Sequence, residues 1–140
     1  WQDGGARMQL LIGDAANHQS PVRTFAPTLY LSWQLAAGAS LTLPAHVAER
    51  GLYLFDGSVQ IGDETIQAGE LVVLGEQACQ ISTLAGASGV LFGGAALDGP
   101  RYLDWNFVAS DRNRLQQARD DWANGRFAMV NGESEFIPLP

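Results

Sequence analysis

From residue 28 to residue 35 the side chains alternate without a break, with Leu29, Leu31, Trp33 and Leu35 on one face and Tyr30, Ser32 and Gln34 on the other. A helix repeats about every 3.6 residues, so a strict period of two marks a strand with one face buried. The pattern recurs in shorter form at 8–12, 58–61, 65–67, 71–74, 80–84 and 89–92, and glycines punctuate the segments. Gly62-Asp63 ahead of residue 65 is a hairpin signal. Short strands at intervals of roughly ten residues favour an all-β fold: an antiparallel barrel or jelly roll built as a two-sheet sandwich. Residues 13–27, which include Asn17, His18, Ser20 and Pro21, read as a loop with His18 exposed.

Composition fits that outline. With 46% hydrophobic and 16% charged residues over 140 positions, the chain reads as one globular domain able to bury a core. The expected division within residues 1–140 is a barrel at about 8–94 and a strand, helix and tail at about 95–140. The formal charge is −7 and all eight cations are dispersed arginines, which argues against direct nucleic-acid binding. A protein partner or a homo-oligomer stays open. No apolar run approaches the ~18 residues of a membrane span and no signal-peptide pattern is present, so the sequence places the chain in the cytoplasm and off the membrane. Cys79, the single cysteine, sits in an alternating QACQIS segment and reads as an ordinary partly buried side chain.

From Ala95 the pattern changes. Ser110 or Asp111 can cap a helix running to about Asn124, in which Leu115, Ala118, Arg119 and Trp122 share one face and Gly125 ends the last turn. That helix is expected to lie against the barrel through Leu115 and Trp122, with residues 105–108 receiving it. Asp120 and Asp121 are adjacent, hence about 100° apart around the helix, and read as a solvated face and not as an acid–base pair.

The stretch GASLTLPAHVAERGLYLFDG, residues 38–57, reads as two strands joined at a turn. Thr42, Pro44 and His46 alternate along the first, and Arg50, Leu52 and Leu54 along the second. Its spacing resembles the first motif of the cupin superfamily: Gly, five residues, His-x-His, three or four residues, Glu, six residues, Gly. From Gly38, the two histidine positions fall on Pro44 and His46, the glutamate on Arg50 and the closing glycine on Gly57. A second cupin motif would put its proline at Gln67, its inner glycine at Gly69 and its histidine at Val72. Proline and valine offer no lone pair and arginine brings a fixed positive charge, so one ligand of four survives and no metal is expected in this chain.

The last third carries a sharper likeness. Trp105-Asn106-Phe107-Val108, the helix from Asp111, Asp121-Trp122 with Gly125-Arg126-Phe127, and the closing Gly132-Glu133 and Glu135-Phe136-Ile137-Pro138-Leu139-Pro140 resemble the end of the pirin C-terminal domain. Upstream, Ser20-Pro21-Val22 and Thr28-Leu29-Tyr30-Leu31 extend the resemblance over nearly the whole chain. The resemblance implies a cupin-type barrel with one C-terminal helix packed on it, in a family described as bicupin, with metal ligands in an N-terminal half and a degenerate C-terminal half. It also implies metal-dependent, quercetinase-like oxygenase activity for some members, and a role for others as protein cofactors in transcription. Whether an N-terminal cupin domain or a leader precedes Trp1 is left open.

Three functions follow as expectations. The chain can be a metal-free structural or interaction module with no catalysis of its own. It can be a barrel that binds a small organic anion, with Tyr30, Trp33, His46, Arg50 and Tyr53 as pocket residues and Arg50 as the cation; otherwise Arg50 is expected to pair with Glu49, Glu70 or another acidic residue at the rim. Or it can be part of a metal-dependent dioxygenase whose metal, iron or another divalent transition ion, lies elsewhere; His46 is then the one imidazole this chain could offer.

Overall fold

The computed structural model describes residues Trp1–Pro140 and divides into two compact units, Trp1–Ala96 and Leu97–Pro140. The first unit contains β1 (Gln2–Asp3), β2 (Ala6–Ile12), β3 (Asp14–Ala15), β4 (His18–Gln19), β5 (Thr28–Leu35), β6 (Ser40–Leu43), β7 (Glu49–Ile61), β8 (Glu64–Gln67), β9 (Leu71–Leu74), β10 (Cys79–Ser82) and β11 (Ala87–Gly94). The second contains β12 (Tyr102–Asp104), β13 (Phe107–Ala109) and α1 (Arg112–Ala123).

Every strand pairing is antiparallel, and the main path runs β1-β2-β5-β11-β7-β10-β6. Strand β7 belongs to both sides of the sandwich. Its first half pairs with β11 and β9, and its second half, from Ser58 onward, with β8 and β10. The sequence reads this stretch as two strands, 50–54 and 58–61; they are one, carried through a corner at Gly57. Gly57 has φ +76, and a Cβ there would meet the Gly86 carbonyl oxygen at 2.3 Å and Ala87 Cα at 2.9 Å. Only glycine turns the strand while keeping its ladder to Ala87. The expected loop at 13–27 also differs, because Asp14 pairs with Gln19 and Ala15 with His18 across a turn in which Ala16 and Asn17 have positive φ.

The core lies between the two sides. Leu29, Leu31, Trp33 and Leu35 of β5 meet Leu52 and Leu54 of β7, Leu91 of β11 and Ile81 of β10, all buried. Trp33 is the largest, at 1% exposure. It fits because Gly89 lies under its ring: a Cβ on Gly89 would stand 2.6 Å from Trp33 Cζ2.

In the second unit the cap falls on Asp111, whose side chain accepts from the Asn113 N–H at 2.9 Å. The helix ends as the sequence predicts: Gly125 has φ +63, its N–H donates to Trp122 O, and the Arg126 N–H donates to Asp121 O, two bonds that close the last turn. Leu115 is the buried residue of α1, with Ala118, Arg119 and Trp122 half-buried on the same face. The helix packs on the β12–β13 hairpin, and Trp122 meets Trp105, Phe107, Phe127 and Phe136 at ring-centroid distances of 5.2 to 6.4 Å. Asp120 and Asp121 take separate partners, Gln116 and Asn124 for the first, Gln117 and Arg126 for the second. Truncating Leu115 to alanine removes the apolar anchor of the helix and is expected to cost about 2–5 kcal/mol, read from chemical denaturation; an unchanged midpoint would refute that packing role.

Candidate functional site

The cupin motif lands on β6, the β6–β7 loop and the start of β7. Strand β6 ends at Leu43 because Pro44 has no N–H to continue the ladder. Leu43 is buried and Leu41 packs against the core, while Ser40 and Thr42 face outward. The expected alternation of Thr42, Pro44 and His46 along one strand therefore stops at its first member. His46 lies in the loop with its side chain 40% exposed and Nε2 at 3.7 Å from an Asp14 carboxylate oxygen.

Arg50 does point inward beside Leu52 and Leu54, as the alternation predicts, and is 2% exposed. The rim salt bridge to Glu49 or Glu70 is absent. Glu70 instead accepts from the Gln67 N–H at 2.7 Å. The Arg50 guanidinium donates to three backbone carbonyls: Nη1 to Pro44 O at 2.6 Å, and Nη2 to Gly75 O and to Gln77 O, the latter at 2.7 Å. Pro44 belongs to the loop after β6, Gly75 and Gln77 to the loop after β9. One side chain thus ties both loops to β7 by charge-assisted hydrogen bonds. Its Nε has no partner, and neither has Trp33 Nε1.

A metal does not fit this donor set. Pro44 and Val72 supply no lone pair, Arg50 supplies only donors, and His46 opens toward Asp14 at the surface. No group of three or more His, Cys, Asp or Glu side chains is placed to hold an ion. Cys79 faces the same region from β10, opposite Leu43. Burial pushes its thiol pKa up, and the Arg50 charge opposes that only in part, the reverse of what an activated nucleophile needs.

The five pocket residues read from the sequence separate in space. Trp33 is core, and Arg50 is held by carbonyls. His46 is half-exposed in its loop. Tyr30 and Tyr53 stand on the outer face of the sheet, on the side away from Leu31 and Leu52. Tyr30 and Arg50 do border one cavity, of about 670 Å3, along that face with Phe92, Leu71 and Val73. The register brings these together; sequence alternation marks Tyr30 and Tyr53 as outward but cannot say that β9 lies beside them. A second cavity of about 360 Å3 lies among Trp1, Asp3, Thr42, Pro44 and Gln80. No helix is long and apolar enough to cross a membrane.

A curled antiparallel sheet with this strand path defines a cupin barrel. Residues 30–128 match the family described as Pirin C-terminal cupin domain, and the chain belongs to the pirin family. It is 34% identical over 142 residues to a Pirin-like protein of Caulobacter vibrioides, a match that covers 100% of this chain and 49% of that protein. Among solved structures, it superposes on a quercetin 2,3-dioxygenase from Acinetobacter baumannii with a TM-score of 0.85 and 25% identity, covering 100% of this chain and 49% of that one. A second quercetin 2,3-dioxygenase structure from the same organism gives a TM-score of 0.81 at 18% identity, over 91% of this chain and 46% of that one, a likeness of fold. The chain spans about half the length of the relatives it matches.

Two outcomes test this site. Arg50→Met leaves three carbonyls without their donor and is expected to cost about 3–5 kcal/mol, with Arg50→Lys recovering part of it; equal denaturation midpoints for wild type and Arg50→Met would show that the clamp carries no stability. With its thiol pKa raised, Cys79 should react more slowly with a disulfide reagent at pH 8 than a free cysteine peptide does, and equal rates would contradict its environment.

Proposed function

We propose that this chain is the non-catalytic half of a pirin-type, quercetinase-like oxygenase, a cupin barrel that supports a metal centre formed by residues outside it. The observation that carries this reading is Arg50. At the position where the cupin motif has a metal-binding glutamate stands a guanidinium already committed to Pro44, Gly75 and Gln77 carbonyls. Trp33 and the leucines of β5 and β7 occupy the space between the sheets. Likeness to a quercetin 2,3-dioxygenase over half of that protein's length supports the wider assignment. The organic-anion reading is weaker, because both terminal nitrogens of the guanidinium already donate to backbone carbonyls and only the buried Nε is without a partner.

The test is a comparison of the chain with the variant Pro44→His/Arg50→Glu/Val72→His, which puts imidazole or carboxylate back at the three altered motif positions beside His46. After incubation with iron(II) or nickel(II) and desalting, wild type is expected to retain no stoichiometric metal and to consume no oxygen with quercetin. Stoichiometric metal on wild type, lost in His46→Ala, would overturn the proposal. Metal retained only by the triple variant would support it, by showing that the altered side chains, and not the barrel, set the difference.

A further inference from the structure

Two asparagines of the chain are followed by glycine, Asn124-Gly125 and Asn131-Gly132, and both pairs lie in the second unit. Asparagine before glycine is the pair in which the next backbone nitrogen reaches the side-chain amide carbon most readily, because glycine has no Cβ in the way and the widest choice of backbone angles. The fold treats the two pairs differently. Asn124 ends α1: its own N–H donates to Asp120 O at 3.1 Å, its Nδ2 to the same carbonyl at 2.6 Å, and the Gly125 N–H to Trp122 O at 3.1 Å. Both groups that would react, the side-chain amide and the glycine nitrogen, are thus tied to the helix end. Asn131 and Gly132 are the central residues of a turn closed by the Glu133 N–H donating to Val130 O at 3.1 Å, with Gly132 at φ +81. Both are exposed, and neither the Gly132 N–H nor the Asn131 side chain has a hydrogen-bond partner within the chain. The other asparagines, Asn17, Asn106 and Asn113, precede His18, Phe107 and Arg114, whose side chains crowd the same approach.

We propose that Asn131 is a site of self-modification, at which the Asn131-Gly132 pair passes through a cyclic imide. The Gly132 backbone nitrogen bonds to Asn131 Cγ, the Cγ–Nδ2 bond breaks, and Nδ2 leaves as ammonia with the proton that Gly132 gave up. Water then opens the ring at one of its carbonyls, so the balance is water in and ammonia out, with no other reagent. The product at that position is aspartate or, where the main-chain carbonyl is attacked, isoaspartate, whose backbone runs through Cγ and is one carbon longer. The chain becomes one unit more negative than −7. The new carboxylate falls close to those of Glu133 and Glu135 in the chain. Glu133 accepts from the Ser134 and Glu135 N–H groups at 2.8 and 2.9 Å and so shapes the start of the tail. The tail then returns to α1, where Trp122 Nε1 donates to Ile137 O at 2.8 Å and the Trp122 ring stacks on Phe136 at 5.4 Å. A longer backbone and an added carboxylate between Val130 and Glu135 act on that return, so the modification loosens Phe136 and Ile137 from Trp122.

Ageing the folded chain at 37 °C and pH 8, with each asparagine followed by peptide mapping and mass spectrometry, reads the proposal. Asn131 should convert about tenfold faster than Asn124, the factor that one held hydrogen bond supplies. In urea, where the end of α1 is lost, Asn124 should convert as fast as Asn131. Asn131→Gln, at an exposed position, should remove the acidic species that wild type develops on anion exchange. Equal rates at the two positions in the folded chain, or an Asn131 that stays intact, overturn the proposal. A tenfold ratio that persists in urea assigns the difference to neighbouring residues and not to the fold, and likewise overturns it. In the converted fraction the Trp122 indole N–H should exchange faster with heavy water than in fresh chain; unchanged exchange overturns the loosening of the tail.

Discussion

Arg50 is the contact on which the first unit depends, because it is the one place where β6, β7 and β9 are joined through a side chain and not through a ladder. Burying a guanidinium costs several kcal/mol of lost hydration, and no carboxylate returns it. Three carbonyl oxygens do so instead, and carbonyls in loops need donors of their own once buried. Each side of the arrangement would be unfavourable without the other. A cation surrounded by oxygens from separate loops is also how a metal organises a site; here the guanidinium does the organising with donors and ties both loops to β7.

The rest of the barrel follows the same logic of closure. Strand β7 serves both sides, turned at Gly57, so the register set with β11 dictates where β8 and β10 can pair. Gly89 is kept small to seat Trp33, and Trp33 fills the space between the sides that a ligand would need. Packing of that kind stabilises by burying apolar area, and it competes directly with having a cavity. One cavity lies along the outer face beside Tyr30, Phe92 and Val73, and a second opens beside Met8, Leu31 and Pro44.

Much of the fold was legible because alternation and punctuation are local. The strand 28–35 and the strand 71–74 agree with β5 and β9 at both ends, and Asp111 and Gly125 bound the helix as their side-chain chemistry requires. The Gly57 corner was not legible as a continuous strand, since a glycine between two apolar runs looks the same whether it ends a strand or bends it. Arg50 was legible as inward and cationic, but its partners were not. An acidic neighbour can be found by reading letters, whereas Pro44, Gly75 and Gln77 take part through backbone carbonyls that every residue carries. The likeness of the tail to pirins at Trp105 to Val108 agrees with the match over residues 30–128, and the alignment with the Pirin-like relative covers the whole chain, the closing Glu135 to Pro140 included.

The interior and exterior of the barrel point the same way. Had Pro44 and Arg50 been exchanged for ligands while Trp33 stayed, that ring would still fill the space between the sides; had Trp33 alone been smaller, Arg50 would still tie its two loops to β7. Both features act together on the inside, and further apolar side chains, Tyr30, Leu71, Val73 and Phe92, stand on the outer face beside the cavity of about 670 Å3. Arg50 gives its terminal N–H groups to the domain's own carbonyls, while its Nε and the Trp33 Nε1 stay buried without partners.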